Sequence, residues 1–90
     1  MLFVALLKVR AGTEQERIAR RLKWHYPEEI SVEGECWLQN SDPEGIIIFK
    51  TDSFASMMQL GAAWNDVYDV SIFPAVAAEE GLELARQMMG

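Results

Sequence analysis

Leu2-Phe3-Val4-Ala5-Leu6-Leu7-Lys8-Val9 and Ile46-Ile47-Ile48-Phe49 are apolar at successive positions rather than alternate ones. Side chains along a strand alternate between faces, so Leu2, Val4 and Leu6 lie on one side while Phe3, Ala5, Leu7 and Val9 lie on the other. Ile46 and Ile48 oppose Ile47 and Phe49 in the same way. Strands of this kind belong in the middle of a sheet covered on both faces. The chain has too few helical segments to supply both covers, and the second is expected to be another copy of the protein.

Working outward, Ala11-Gly12 closes the first strand, and Thr13-Glu14-Gln15-Glu16 has capping-box spacing, with Thr13 as N-cap and Glu16 reaching back to it. Ile18, Ala19 and Leu22 form the apolar stripe of the helix that follows, and Glu16 and Arg20 pair at i,i+4 on its outer side. Pro27 is expected to end it, because the residue before a proline is pushed out of the helical region. Ile30–Gln39 alternates, with Ile30, Val32, Gly34, Cys36 and Leu38 against Ser31, Glu33, Glu35, Trp37 and Gln39. Asn40–Gly45 is a loop of turn residues, and Gly45–Lys50 returns as the antiparallel partner. Asp52 or Ser53 caps a second helix with the stripe Phe54, Met57, Met58, Gly61 and Trp64. Gly61 on that stripe is expected to permit close packing on the sheet. Val67–Phe73, closed by Pro74, is a fourth strand, and Ala77–Met89 a last amphipathic helix carrying Leu82, Ala85 and Met89.

The order β-α-β-β-α-β-α, with right-handed crossovers in both βαβ halves, gives a ferredoxin-like α+β fold with an extra C-terminal helix and a four-stranded antiparallel sheet in the order 4-1-3-2. That order places the two doubly apolar strands at the centre. It makes edges of the strands carrying Glu33, Glu35, Asp69 and Ser71.

Ninety residues are read as one domain, and a hydrophobic content of 50% excludes disorder. The net charge of −6 argues against nucleic acid and anionic lipid as partners. One cysteine forms no internal disulfide. The opening lacks a basic n-region and a small-residue cleavage site, and no stretch approaches the roughly 20 apolar residues of a membrane span, so a cytoplasmic protein is expected.

Met1-Leu2-Phe3-Val4, Trp64-Asn65-Asp66-Val67 and Val70-Ser71-Ile72-Phe73-Pro74-Ala75-Val76 carry a resemblance. The chain is similar to the dimeric α+β barrel superfamily and, within it, to the small bacterial family catalogued as domain of unknown function three-three-zero-three. The superfamily includes cofactor-free monooxygenases, haem-degrading enzymes, lactone isomerases and ligand-sensing domains, so the resemblance implies a fold and a dimer but no single activity. Haem-degrading members use an asparagine on the first strand with a helix histidine and a tryptophan. This first strand has no asparagine and the chain has one histidine, so no haem is expected.

Among candidate sites, His25 is a potential base or haem ligand through its imidazole, although a histidine in a helix's last turn also simply satisfies carbonyls and suits the helix dipole. Trp64 and Trp37 are rigid aromatics that either line a pocket or, in turn, complete the core and a subunit contact. Tyr68 and Asp69 are strand neighbours facing opposite ways, which excludes them as a dyad. Cys36 shares a face with Val32 and Leu38 and is expected to be buried. Met57, Met58, Met88 and Met89 are expected to fill gaps in the core. Arg17, Arg20, Arg21 and Lys23 form the only basic cluster, able to receive an anionic ligand or an acidic partner, but they split over more than one helix face and solvated salt bridges with nearby glutamates are their expected use. One histidine and one cysteine on separate elements do not supply the ligands of a zinc site, and neither metal nor cofactor is expected.

The leading functional expectation is a homodimer, joined through the sheet face opposite the crossover helices, that binds a small hydrophobic or aromatic ligand between sheet and helices. His25, Trp64, Tyr68 and Trp37 are its candidate contacts. The alternative is a cofactor-independent monooxygenase or isomerase of the antibiotic-biosynthesis monooxygenase type, and a third is a regulatory module without ligand. A polar group converging on an internal cavity would favour the enzyme.

Overall fold

A computed structural model describes residues 1–90. The elements are β1 (Leu2–Val9), α1 (Glu14–Leu22), β2 (Ser31–Trp37), β3 (Gly45–Lys50), α2 (Phe54–Trp64), β4 (Tyr68–Ala75) and α3 (Ala78–Met89). The sheet runs β2-β3-β1-β4, every neighbouring pair antiparallel, which is the expected order read from the other edge. The architecture is therefore βαββαβ with a C-terminal helix.

The register confirms the two-sided reading of the central strands. Ala5 pairs with Ile47 and Phe3 with Phe49; Ala5, Ile47 and Phe49 are buried, and the Phe3 and Phe49 rings stack at 5.7 Å. With Ile30, Leu60, Trp64, Val67 and Tyr68 they form the core between sheet and helices. On the opposite face Val4 lies between Ile48 and Phe73, and Leu6 between Ile46 and Ser71. There Ile48 and Phe73 are exposed.

Local details differ from the sequence reading in instructive ways. Thr13 occupies the N-cap position, yet the capping box does not form. Its hydroxyl donates to the Arg10 carbonyl at 2.7 Å, and the Glu16 carboxylate accepts from Arg20 at 2.8 Å instead of turning back. Gly12 adopts φ +77°, the left-handed turn into α1 that a side chain would strain. α1 ends at Leu22, not near Pro27: the amides of Lys23 and Trp24 donate to the carbonyls three residues back, tightening and closing the last turn. His25 is consequently in no helix. A bulge between Val32 and Gly34 breaks the alternation of β2, pairing Val32, Glu35 and Trp37 with the core-facing residues of β3. It leaves Cys36 on the open face, where it is exposed rather than buried. Pro74 lies within β4 and does not close it, pairing with Phe3. An edge strand bonds on one side only and so accommodates a missing N–H.

The helical stripes are also corrected. Ser53 caps α2, accepting from the Ser56 amide at 3.1 Å. The buried face of α2 is Ser56, Leu60 and Trp64, with Met57 and Ala63 beside it, while Phe54 and Met58 are exposed. α1 and α3 bury no residues at all. Met88 and Met89, placed in the core by the sequence reading, are exposed on α3. The molecule extends over 52 × 28 × 17 Å with a radius of gyration of 15.0 Å, against about 12 Å for a compact chain of this length.

Gly61 does not mediate close packing either. A Cβ built there meets no atom within 4 Å. Gly61→Ala therefore gains helix propensity without a clash and is expected to raise stability by about 1 kcal/mol, measurable as a higher midpoint in urea. A loss of stability would show that the helix face is occupied.

Candidate functional site

Between α1 and the core-facing side of the sheet lies a cavity of about 450 Å³. Its floor is apolar: Leu7, Ile47, Leu60 and Val70 from β1, β3, α2 and β4, with Trp24, Tyr26, Trp64 and Tyr68 around them. Trp24 is packed edge-on to both Tyr26 and Trp64, at 5.7 and 5.5 Å, and Trp64 continues to Tyr68 at 5.8 Å.

The space exists because α1 turns arginines, not aliphatic side chains, towards the sheet. Ile18 and Leu22 sit at the cavity margin and are 56% and 82% exposed. Arg17 and Arg21, one helical turn apart, reach across to carboxylates on the sheet side. Arg21 donates to both oxygens of Glu35, at 3.1 and 3.0 Å. Tyr26 donates its hydroxyl to Glu35 at 2.6 Å, and Trp37 its indole N–H at 2.8 Å. Arg17 donates to Glu44 at 3.0 Å and to the Thr13 hydroxyl at 2.7 Å, and the Tyr68 hydroxyl donates to Glu44 at 2.8 Å. The site thus contains two arginine–glutamate–tyrosine sets. Arg20 anchors α1 separately, donating to both oxygens of Asp66, to the Ala63 carbonyl and to Glu16.

These contacts fix protonation. Burial pushes the Glu35 carboxyl up, but the bonds from Arg21, Tyr26 and Trp37 outweigh it and hold the group below its ordinary value. Burial, reinforced by the bond to Glu44, pushes Tyr68 up to about 12, and burial with the bond to Glu35 raises Tyr26 as well. Both phenols are neutral donors at neutral pH. Neither is a resident base.

Of the residues expected at the site, Trp64 and Tyr68 line the cavity, Trp64 being part of the core as well. Trp37 lies at the margin, 69% exposed, with the Arg21 guanidinium 6.0 Å from its ring. His25 is exposed and is not among the lining side chains. Asp69 pairs with Arg10 at 2.8 Å, away from Tyr68 as the alternation required. The sequence reading assigned Arg17 and Arg21 to solvated salt bridges and did not place Glu35, Glu44, Trp24 or Tyr26 at the site. The signal available for the first two was their i,i+4 spacing on a helix whose apolar stripe is only three residues long. No three side chains among His, Cys, Asp and Glu converge as a metal-ligand group, and no helix is long and apolar enough to cross a membrane.

A family model described as a domain of unknown function, DUF3303, matches residues 1–89. No curated protein and no solved structure matches the chain.

The hydroxyl bonds of the two sets are open to titration. The chain has two tyrosines, both raised. Phenolate absorbance is expected to show no step near the ordinary pH of 10 in the native protein, and to regain one on denaturation. A group raised by folding stabilises fully below its unfolded value, so this contribution is complete below pH 10 and fades as pH rises towards 12. On the acid side the sign reverses. Glu35 is depressed, so its contribution is full above pH 4.5 and is lost as pH falls below that. Glu35→Gln is expected to flatten this acid limb in pH-dependent urea melts. A native tyrosine step near pH 10 would show that the hydroxyls are not held.

Proposed function

The chain belongs to the DUF3303 family, whose description assigns no activity, and we propose that it works as a homodimer that binds a small aromatic molecule in the cavity beneath α1. The observation that carries the ligand reading is the cavity itself: about 450 Å³, floored by aliphatic side chains and walled by four aromatic ones. This is the size and lining of a small-molecule site. A space of that kind left empty forgoes contacts that the surrounding side chains would otherwise make.

The dimer reading is supported by the sheet face opposite the core, where Leu2, Val4, Leu6, Ile46, Ile48 and Phe73 lie and none is buried. A stable contact there would bury on the order of 1,600 Å². α3 supports it independently. A helix of 12 residues is marginal alone in water, yet Leu82, Leu84, Met88 and Met89 are exposed on it. It follows β4 after Val76, itself exposed. The partner subunit supplies the cover for both. The lone cysteine, exposed without a partner in its own chain, suits the reducing cytoplasm, which is the compartment of this reading.

The alternative reading, a cofactor-independent monooxygenase or isomerase, draws support from the polar groups converging on the cavity. His25, its natural base, lies outside that cavity, and the Tyr68 hydroxyl is already engaged as a hydrogen-bond donor to Glu44. Binding is therefore the better-supported function.

Two measurements test these readings. Naphthalene is expected to quench tryptophan fluorescence saturably, with Trp24→Ala weakening binding about threefold to tenfold through the lost aromatic pair. Absence of saturable quenching by naphthalene and by 2-naphthol alike would remove the ligand reading. Light scattering at micromolar concentration is expected to show a dimer that Ile48→Lys or truncation before α3 converts to monomer. A wild-type monomer would remove the dimer.

A further inference from the structure

The two arginine–glutamate–tyrosine sets look alike but differ in what they leave free. A carboxylate accepts about four hydrogen bonds, two on each oxygen. Glu35 receives four: Arg21 and Tyr26 on one oxygen, Arg21 and Trp37 on the other. It is saturated and has nothing to offer a ligand. Glu44 receives one on each oxygen, from Tyr68 and from Arg17, and two acceptor positions remain.

Glu44 is also held in place. Its backbone N–H donates to the Leu7 carbonyl at 2.8 Å and its carbonyl accepts from the Leu38 amide at 2.6 Å, so the residue is fastened between β1 and the end of β2. Its side chain lines the cavity and is only 24% exposed. A fixed, largely desolvated carboxylate with unused acceptor capacity discriminates strongly, because a ligand that cannot donate leaves it unpaired.

Charge narrows the ligand further. Three of the four aromatic walls already carry a cation: Arg17 stands 5.7 Å from the Tyr68 ring, Arg20 5.4 Å from Trp64 and Arg21 5.9 Å from Tyr26. An added cation would meet these guanidiniums. An anion fares no better, because Arg17 and Arg21 are already paired and Glu35 and Glu44 repel it.

We infer that Glu44 is the recognition residue of the cavity, and that the ligand is a neutral hydroxylated aromatic, of the phenol or naphthol class, which donates its hydroxyl to Glu44 while its ring packs among Trp24, Leu60 and Trp64. The inference rests on the cavity reading above and adds the functional group that is read. Arg17 and Tyr68 act as positioning residues, holding one lone pair on each oxygen and leaving the others turned to the ligand. The aromatic ring supplies affinity and the hydroxyl supplies selectivity.

Isothermal titration calorimetry with four naphthalene probes separates the possibilities: 2-naphthol, 2-methoxynaphthalene, 2-naphthoate and 2-naphthylmethylammonium. The wild-type protein is expected to bind 2-naphthol at least about tenfold more tightly than its methyl ether, the scale of one hydrogen bond to a charged acceptor. The naphthol is also expected to bind more tightly than either ion. In Glu44→Gln and Glu44→Asp, each checked for a cooperative melt, the ratio of naphthol to methyl ether is expected to fall towards one while the ether's own affinity persists. Equal wild-type binding of naphthol and ether, or tightest binding of either ion, would overturn the inference and leave the cavity reading standing. Retention of the ratio in a folded Glu44→Gln protein would also overturn it. Binding of none of the four would overturn both. The wild-type comparison needs no variant, so equal binding of naphthol and ether overturns the inference even if the substitutions impair folding.

Discussion

Everything at the candidate site depends on ion pairs that span a gap. An ordinary amphipathic helix lays aliphatic side chains on its sheet and closes the space between them. α1 extends Arg17 and Arg21 instead, and these long side chains end on Glu44 and Glu35. A guanidinium cannot be buried without a partner at acceptable cost, and a carboxylate on the sheet side has the same need. Each satisfies the other only if helix and sheet stay a side chain's length apart. The cavity of about 450 Å³ is the space this separation leaves. Arg20 reinforces it from the other side, tying α1 to the end of α2 through the Ala63 carbonyl and to the turn before β4 through Asp66.

The same device sets the chemistry of the site. Both of its arginines are paired with carboxylates, its two phenols are neutral donors, and three of its four aromatic walls already carry the chain's own arginines. Such an environment attracts neither bulk anions nor bulk cations. What distinguishes one part of it from another is hydrogen-bond supply. β2 places Glu35 beside Tyr26 and Trp37 as well as Arg21, because the bulge at Val32–Gly34 turns both Glu35 and Trp37 towards the helices. Glu44, at the end of a loop pinned to β1, has fewer donors around it. One carboxylate is thereby structural and the other is left with spare acceptors.

The exposed apolar surface has a different origin. Eight buried hydrophobic residues make a small core for 90 residues, and small domains bury proportionately little. Exposed apolar side chains fall on the open face of the sheet (Ile48, Phe73), along α3 (Leu82, Leu84, Met88, Met89), on α2 (Phe54, Met58) and on α1 at the cavity margin (Ile18, Leu22). Exposed apolar surface on that scale marks interaction sites. The cavity face and the open face are opposite sides of one sheet, so the ligand and dimer readings do not compete for the same residues.

Leu2–Val9 and Ile46–Phe49, by their unbroken apolarity, determined the centre of the sheet from sequence alone, and the alternation of faces determined that Tyr68 and Asp69 would part. Both follow from the two-residue period of a strand, which is local. Turn residues and a proline likewise marked where elements begin and end to within a few positions, although hydrogen bonding after Leu22 closed α1 before Pro27 was reached. The faces of the helices were another matter. Ile18, Ala19 and Leu22 form an apolar stripe on α1, yet the stripe is exposed, because Arg17, Arg20 and Arg21 find acceptors on the sheet side that lie 14 to 46 positions away in the chain. On α2 the stripe is displaced, since Leu60 meets the core where Gly61 does not. No local pattern encodes which carboxylate an arginine will meet across a cavity, or that Glu35 will receive four donors and Glu44 two. Strand periodicity is a property of the backbone and is written residue by residue, whereas the pairing of long charged side chains is settled only when distant elements are brought together.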